Sequence, residues 1–394
     1  MSKHAPPPPR AFHKADRLQH IRPFYVMQVL DEALRMQAQG QDVIHLDLGE
    51  PDFDTPEPVT RAGIRALQDN RTHYVQALGI PELREKIANS YPEACRPAAG
   101  RVAVTPGSSA GLQLVFACLL NPGDEVLLAD PGYPCNHNFI HLYGGVPRAI
   151  PTDASTGYQL TADSIRAAWS DNTRAVLIGS PANPTGTIVA PAEMSRIASA
   201  VRELGGQLIV DEIYHGLVYA ADIRTALFDG NDVFVVNGFS KFYGMTGWRL
   251  GWLVVPEAYL EDITRLSQNL FISASTPAQF AALHAFDTET AEELERRRDL
   301  FRQRRDFFIP ALRELGFRIP LMPQGAFYAY ADCSPFSDDS DAFAMDLLHK
   351  ALVAAAPGKD FGSHRHQQHI RFSYANSMQN LELAIERMAR FLRD

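Results

Sequence analysis

The chain is poor in several things, and each shortage narrows what it can be. Its 394 residues include four cysteines, Cys95, Cys118, Cys135 and Cys333. They lie far apart and form no CxxC pair, so neither a disulfide scaffold nor a ribbon-type metal site is expected. No apolar run approaches the ~18 residues of a membrane-spanning helix. The first ten residues carry Pro6–Pro9 and no apolar segment of the secretory kind. That tail, taken as residues 1–15, should be extended and flexible, and a cytoplasmic location is expected. Positive charge is also short. The formal net charge is -9, which argues against a nucleic-acid partner.

What remains is an ordinary globular composition, 46% apolar and 21% charged, in a chain too long for one core. Between about residues 100 and 255, short β-rich runs alternate with helical stretches. Strands are expected at Arg101–Thr105, Asp124–Ala129, Ala175–Gly179, Gln207–Val210, Asp232–Val236 and Leu250–Val255, and helices at Ser109–Leu120 and Pro191–Leu204. The strand runs are nearly all apolar rather than alternating, which marks strands covered on both faces. The fold class is therefore α/β, with a mostly parallel sheet between helices. After Ser275 the texture changes. A long helix over Ala291–Leu315 carries Arg296, Arg297, Arg298, Arg302, Arg304 and Arg305 interleaved with Glu292, Glu293, Glu295 and Asp299, which predicts a solvated face. Strands at Ala326–Ala331 and His369–Tyr374 and a closing helix at Asn380–Leu392 suggest a second, smaller α+β domain.

Five segments carry chemistry. Lys241 ends the run Asn237-Gly238-Phe239-Ser240-Lys241, at the mouth of a buried strand. Arg249 follows eight residues later. An amine can condense with an aldehyde, and a hydroxyl with an arginine can hold a phosphate, so this run suits pyridoxal 5′-phosphate (PLP). Gly107-Ser108-Ser109 opens a helix, whose free N–H groups suit a phosphate. The same stretch spells G-x-S-x-G, which leaves open a serine hydrolase with Ser109 as nucleophile and His364, His366 or His369 as base. Tyr133, in Asp130-Pro131-Gly132-Tyr133-Pro134, is placed to stack on a flat ring; a plain turn explains the segment equally well. Asn183, in Ser180-Pro181-Ala182-Asn183-Pro184, has an amide able to donate to a ring oxygen. Asp211, leaving an apolar strand, needs a partner such as a pyridinium N–H, and Tyr214 follows three residues on. Arg371, in His369-Ile370-Arg371-Phe372-Ser373, is suited to fork onto a carboxylate, a structural ion pair being the plainer reading. The HxHxxH spacing of the three histidines matches no familiar ligand set, and no metal is expected.

In this order the segments resemble those of the class I/II aminotransferases, enzymes of the fold-type I PLP group. The likeness extends from about Ile21 to the C-terminus and includes Leu48-Gly49-Glu50-Pro51-Asp52-Phe53, His73-Tyr74, Gly79–Arg84 and Pro323-Gln324-Gly325-Ala326-Phe327-Tyr328. It implies a large PLP domain at 50–285 and a small domain made of 16–49 and 286–394. It implies that Lys241 binds the cofactor's aldehyde and moves protons, and that Asp211 faces the ring nitrogen. Tyr214 and Asn183 would contact the ring oxygen and Tyr133 the ring face. Gly107, Ser108, Ser109, Ser240 and Arg249 would hold the phosphate. Tyr74 would reach the phosphate of a second subunit, which makes a homodimer with shared sites. Arg371, with Asn183 and Gly49, would bind the substrate carboxylate.

The implied reaction moves an amino group from an L-amino acid to a 2-oxo acid by a ping-pong route. Some aspartate aminotransferases of the group carry a lysine where this chain has Ser109, so a neutral or apolar donor is expected. Arg22 is the alternative cation for a dicarboxylic donor, and Phe24, Tyr25 and Phe242 are candidates to border the side-chain pocket. A PLP-dependent C–S β-lyase, an aspartate aminotransferase, a non-catalytic module of the same fold and the hydrolase are the competing readings.

Overall fold

A computed structural model describes residues 13–219 and 221–393. The run Pro6–Pro9 lies outside the described residues. Ten strands and four helices position the functional residues. The strands are β1 (Val102–Thr105), β2 (Glu125–Asp130), β3 (Val146–Pro151), β4 (Thr173–Gly179), β5 (Gln207–Asp211), β6 (Phe234–Gly238), β7 (Gly251–Val254), β8 (Tyr328–Asp332), β9 (Ala356–Pro357) and β10 (His369–Ser373). The helices are α1 (Tyr25–Ala38), α2 (Ser108–Leu119), α3 (Thr288–Glu314) and α4 (Met378–Phe391).

Seven strands form one sheet in the order β1-β7-β6-β5-β4-β2-β3. Five of them, β6 through β3 in that order, pair parallel, and β7 runs antiparallel to both its neighbours. Strands β1 and β7 are buried at every position, and β4 and β5 nearly so. One apolar cluster, with Val104, Val176, Val210 and Trp252, covers one face. Another, with Phe116, Leu128, Ile209 and Leu253, covers the other. Burial on both faces explains why these segments are continuous apolar runs. The edge strand β3 differs. Its residues alternate between exposed and half-buried, and it contains Pro147 and Pro151. An edge tolerates proline because one side of the strand needs no ladder partner.

A second sheet, in the order β9-β10-β8, is antiparallel. Its core is a cluster in which Phe308, Phe327, Phe372 and Met388 join β8 and β10 to α3 and α4. Helix α3 departs from the solvated face expected of it. Arg304 is buried and pairs bidentately with Asp52 at 2.7 and 2.9 Å. Its guanidinium also lies over the rings of Phe53 and Phe301. Arg305 lies over Tyr219 and donates to the Pro323 carbonyl. A planar guanidinium can stack and hydrogen-bond at once, so a charged stripe here is partly a packing surface.

Within the seven-stranded sheet, β7 passes under the start of α2. A Cβ on Gly251 would lie 2.5 Å from the Ser108 amide nitrogen and 2.7 Å from the Gly107 carbonyl carbon. Those neighbours are backbone and cannot swing aside. Gly251→Ala is expected to destabilise the fold by about 1–3 kcal/mol, as overpacking does. Chemical denaturation would register this as a lower midpoint; an unchanged midpoint would show that α2 does not rest on this strand.

Candidate active site

Parallel strands release their carboxyl ends at one edge of the sheet, where α/β proteins hold ligands. Here that edge opens into a cavity of about 480 Å³. Gly49, Ser108, Ser109, Tyr133, Asn183, Asp211, Tyr214, Ser240, Lys241, Arg249 and Arg371 all line it. Eleven of the candidates named from sequence therefore share one enclosure, although 322 positions separate the first from the last. Gly107 and Tyr74 stand outside the lining.

Asp211 ends β5 and Lys241 follows β6, the neighbouring parallel strand. Burial pushes the Asp211 carboxyl up to about 6, while an N–H from Ile213 at 3.1 Å and the charge of Lys241 pull it back. Burial likewise depresses the Lys241 amine to about 8, against the pull of Glu50 and Asp211, while the like charges of Arg371 and Arg249 depress it further. The two groups form no ion pair. The amine instead donates to the Gly49 carbonyl at 2.5 Å. Glu212 points the other way, as strand alternation requires. It accepts from Thr225 and Ala226 at 2.9 and 2.7 Å.

Gly107 adopts φ +83°, a left-handed conformation that glycine takes without strain. A Cβ there would lie 2.9 Å from Arg249 Nη2, so the missing side chain lets the guanidinium cross the turn. Arg249 itself sits at φ +53° and donates to the Thr246 carbonyl at 3.0 Å. The first turn of α2, with Ser108 and Ser109, thus faces an arginine and Ser240 across one end of the cavity. Free N–H groups, hydroxyls and a cation make an anion cradle there.

Arg371 is buried in β10. It donates to the Asp47 carbonyl at 2.6 Å and to Asn183 Oδ1 at 3.0 Å, and its Nε has no partner. Its guanidinium stacks on Tyr328 at 4.5 Å and on Phe361 at 4.8 Å. A buried cation held by neutral acceptors, with a donor to spare, is set for an incoming carboxylate. Tyr214 bonds to the Tyr328 hydroxyl at 2.7 Å. Tyr328 had no role in the sequence reading; a tyrosine in an apolar strand carries no signal there.

Other expectations need correction. Phe24 lines the cavity, but Tyr25, Phe242 and Arg22 do not. Arg22 is exposed and its backbone pairs with Asn138. Val26 and Met27, which the sequence did not single out, line the cavity in their place. The serine-hydrolase geometry is missing as well. Among the described residues Ser109 has no histidine within hydrogen-bonding distance, and His369 is stacked on Tyr330 with Nδ1 against the Arg365 carbonyl. No group of three metal-ligating side chains occurs among the described residues, and all four cysteines are free.

Comparison with known proteins agrees with this geometry. The chain belongs to the aminotransferase class I and II family, whose profile matches residues 41–388. A (5-formylfuran-3-yl)methyl phosphate transaminase from Methanocaldococcus jannaschii is 39% identical over 381 residues, 95% of this chain and 98% of that protein. A valine–pyruvate aminotransferase from Mycobacterium tuberculosis is 39% identical over 378 residues, 94% of this chain and 97% of that one. The crystal structure of an aspartate aminotransferase from Thermus thermophilus with maleate superposes with a TM-score of 0.90 at 33% identity, covering 97% of this chain and all of the other. The protein is an aminotransferase of fold type I, acting on amino acids and 2-oxo acids.

The depressed amine has a direct consequence. In the cofactor-free protein, Lys241 should lose its proton as pH rises through about 8, whereas an ordinary lysine does so near ~10.4. Pulse acetylation read by peptide mass spectrometry should show half-maximal labelling of Lys241 near that lower pH. Labelling in step with exposed Lys350 would contradict the burial argument.

Proposed function

We propose that Lys241 carries PLP and that the enzyme moves the amino group of a neutral or apolar L-amino acid to a 2-oxo acid. The observation that carries this reading is one cavity lined by a depressed amine, a buried carboxylate and an anion cradle. The residues fit the cofactor. Gly107 leaves the space Arg249 needs, and Ser108, Ser109 and Ser240 complete the phosphate cradle. Asp211 has no cation partner of its own and suits a ring N–H. Tyr133 suits the ring face, and Tyr214 with Asn183 suits the ring oxygen.

When bound, the cofactor supplies an aldehyde to take up the amino group and a cationic ring to draw electrons from the α-carbon. The remaining work belongs to the chain. Arg371, steered by Asn183 and the carbonyl of Asp47, binds the α-carboxylate and fixes which substituent faces Lys241. Lys241, once released as the free amine, would take the α-proton and give it back two atoms along, beyond the amino nitrogen; its depressed pKa favours the neutral form this needs. Asp211 keeps the ring nitrogen protonated throughout. The Gly49 carbonyl holds the amine in the cavity between proton transfers. One substrate leaves before the next binds at the same arginine, so kinetics are ping-pong.

The donor class is set by the charges in the cavity. Only Lys241, Arg249 and Arg371 are cationic among the lining residues, and each has a task. A second carboxylate would have no partner, while Asp47 and Glu50 lie nearby with the same charge. Phe24, Val26 and Met27 offer an apolar wall. The valine–pyruvate relative is consistent with such a donor.

We read residues 50–285 as the large domain, 16–49 with 286–394 as the small one, and the working unit as a cytoplasmic homodimer. Tyr74 is 78% exposed, and Leu270 and Ile272 are exposed on the segment that Thr276 ties to the His73 carbonyl. An exposed aromatic among exposed aliphatics suits a contact with a second copy, from which Tyr74 would enter the partner's phosphate cradle.

The test is a half-reaction screen. Holoenzyme mixed with single amino acids and no acceptor should lose its visible band fastest with neutral, apolar donors and regain it with a 2-oxo acid. Lys241→Ala is expected to slow turnover by roughly 10²–10⁴-fold, the usual worth of a positioned acid–base group. Pyruvate and ammonia released from a thioether amino acid without acceptor would favour the β-lyase reading instead.

A further inference from the structure

The segment after β9 touches three separate walls of the cavity. Asp360 accepts from the backbone N–H groups of Tyr25 and Val26, each at 2.7 Å, at the start of α1. The Phe361 carbonyl accepts from Gly132 N–H at 2.7 Å, in the turn that bears Tyr133. Asp130, which opens that turn, accepts from the Ser363 amide and hydroxyl at 2.9 Å each and from the His364 amide at 3.0 Å. All three bonds fall on one oxygen, and the other has no partner. Asp130 is 2% exposed.

The same segment supports the carboxylate-binding arginine. The Phe361 ring lies 4.8 Å from the Arg371 guanidinium. Strand β9 pairs with β10 so that Ala356 faces Arg371. Gly362 closes the contact: a Cβ there would lie 1.8 Å from Asp130 Oδ1 and 2.5 Å from its carboxyl carbon. All three nearest atoms belong to Asp130, so this aspartate is what a side chain at Gly362 would strike first.

We propose that Asp130 is a positioning residue for substrate binding: it clasps the Gly362–His364 loop and so holds Phe361 behind Arg371. A carboxylate that accepts three donors replaces water the loop would otherwise need; among the described residues Asp130 is the hydrogen-bond partner of the Ser363 and His364 amides, next to the Gly132–Phe361 bond. Asp130 does not line the cavity. It acts through the orientation of Arg371, and the inference rests on the reading of Arg371 as the α-carboxylate site.

Opening the clasp should loosen ground-state and transition-state binding alike, raising KM while leaving kcat nearly intact. In holoenzyme saturated with PLP, Asp130→Ala is expected to raise the amino-donor KM, and the Kd of isovalerate by titration calorimetry, about tenfold or more. Asp130→Asn keeps an acceptor and should recover most of both. Gly362→Ala leaves every charged group in place but drives the loop off Asp130, and should give the same KM-weighted signature. In the double variant the clash with the carboxylate is gone but the strain of an alanine at φ +157° remains, so Gly362→Ala should add clearly less to Asp130→Ala than it costs alone.

Independent, multiplicative losses, or a fall in kcat with KM and isovalerate affinity unchanged, would overturn the clasp. Arg371→Gln separates the two claims. If it leaves isovalerate binding as in the wild type, the Arg371 reading itself fails. If it abolishes binding while Asp130→Ala does not weaken it, only the clasp fails.

Discussion

An amine and a carboxylate lie half-buried at and just past the ends of two adjacent parallel strands and form no ion pair. That separation is the constraint on which the rest of the site depends. Asp211 and Lys241 would gain by closing into an ion pair, because charges in a partly enclosed cavity attract more strongly than in bulk water. The amine is held instead by the Gly49 carbonyl, while the acid accepts from the Ile213 amide. Each group therefore pays part of its desolvation as a shifted pKa, upward for the acid and downward for the amine. A ligand that gives the acid a proton to hold and the amine a carbon to bind relieves both.

The remaining walls obey the same logic of unmet demand. The helix start at Ser108, the left-handed Gly107 and Arg249 make a positive end. Arg371 makes a second one, backed by rings instead of carboxylates. Stacking on Tyr328 and Phe361 supports the guanidinium without neutralising it, so its charge stays available to a substrate. A salt-bridged arginine at the same place would bind a carboxylate only after giving up its partner. The loop at 360–364 extends this support to the far side of the cavity, joining elements that are distant in the chain.

Much of this was legible in the sequence, for identifiable reasons. The apolar runs at 101–105, 175–179 and 207–210 announced strands buried on both faces, and the turns that follow them carried the site candidates. Asp211 was readable because an acid leaving an apolar strand needs a partner, Lys241 because an amine beside Ser240 and Arg249 suits a phosphate-bearing aldehyde, and Asn183 because its amide is held in a turn between prolines. The strand at 146–151 was missed because an edge strand with two prolines lacks that pattern. The reversed direction of 251–254 was invisible, since a buried run reads alike both ways. The arginines of α3 misled because interleaved charge signals a wet face, while Arg304 reaches inward to Asp52, 252 positions away. Asp130 gave no sign for the same reason: its partners, Ser363 and His364, lie more than 230 positions downstream. Local pattern reveals what a strand end carries, not what will be folded against it.

A crystal structure of the protein with PLP bound would test the separated pair outright. Continuous density is expected from Lys241 Nζ to the cofactor's aldehyde carbon, with an Asp211 oxygen about 2.6–3.2 Å from the ring nitrogen. Density joined to a different lysine, or a ring nitrogen turned away from Asp211, would contradict it.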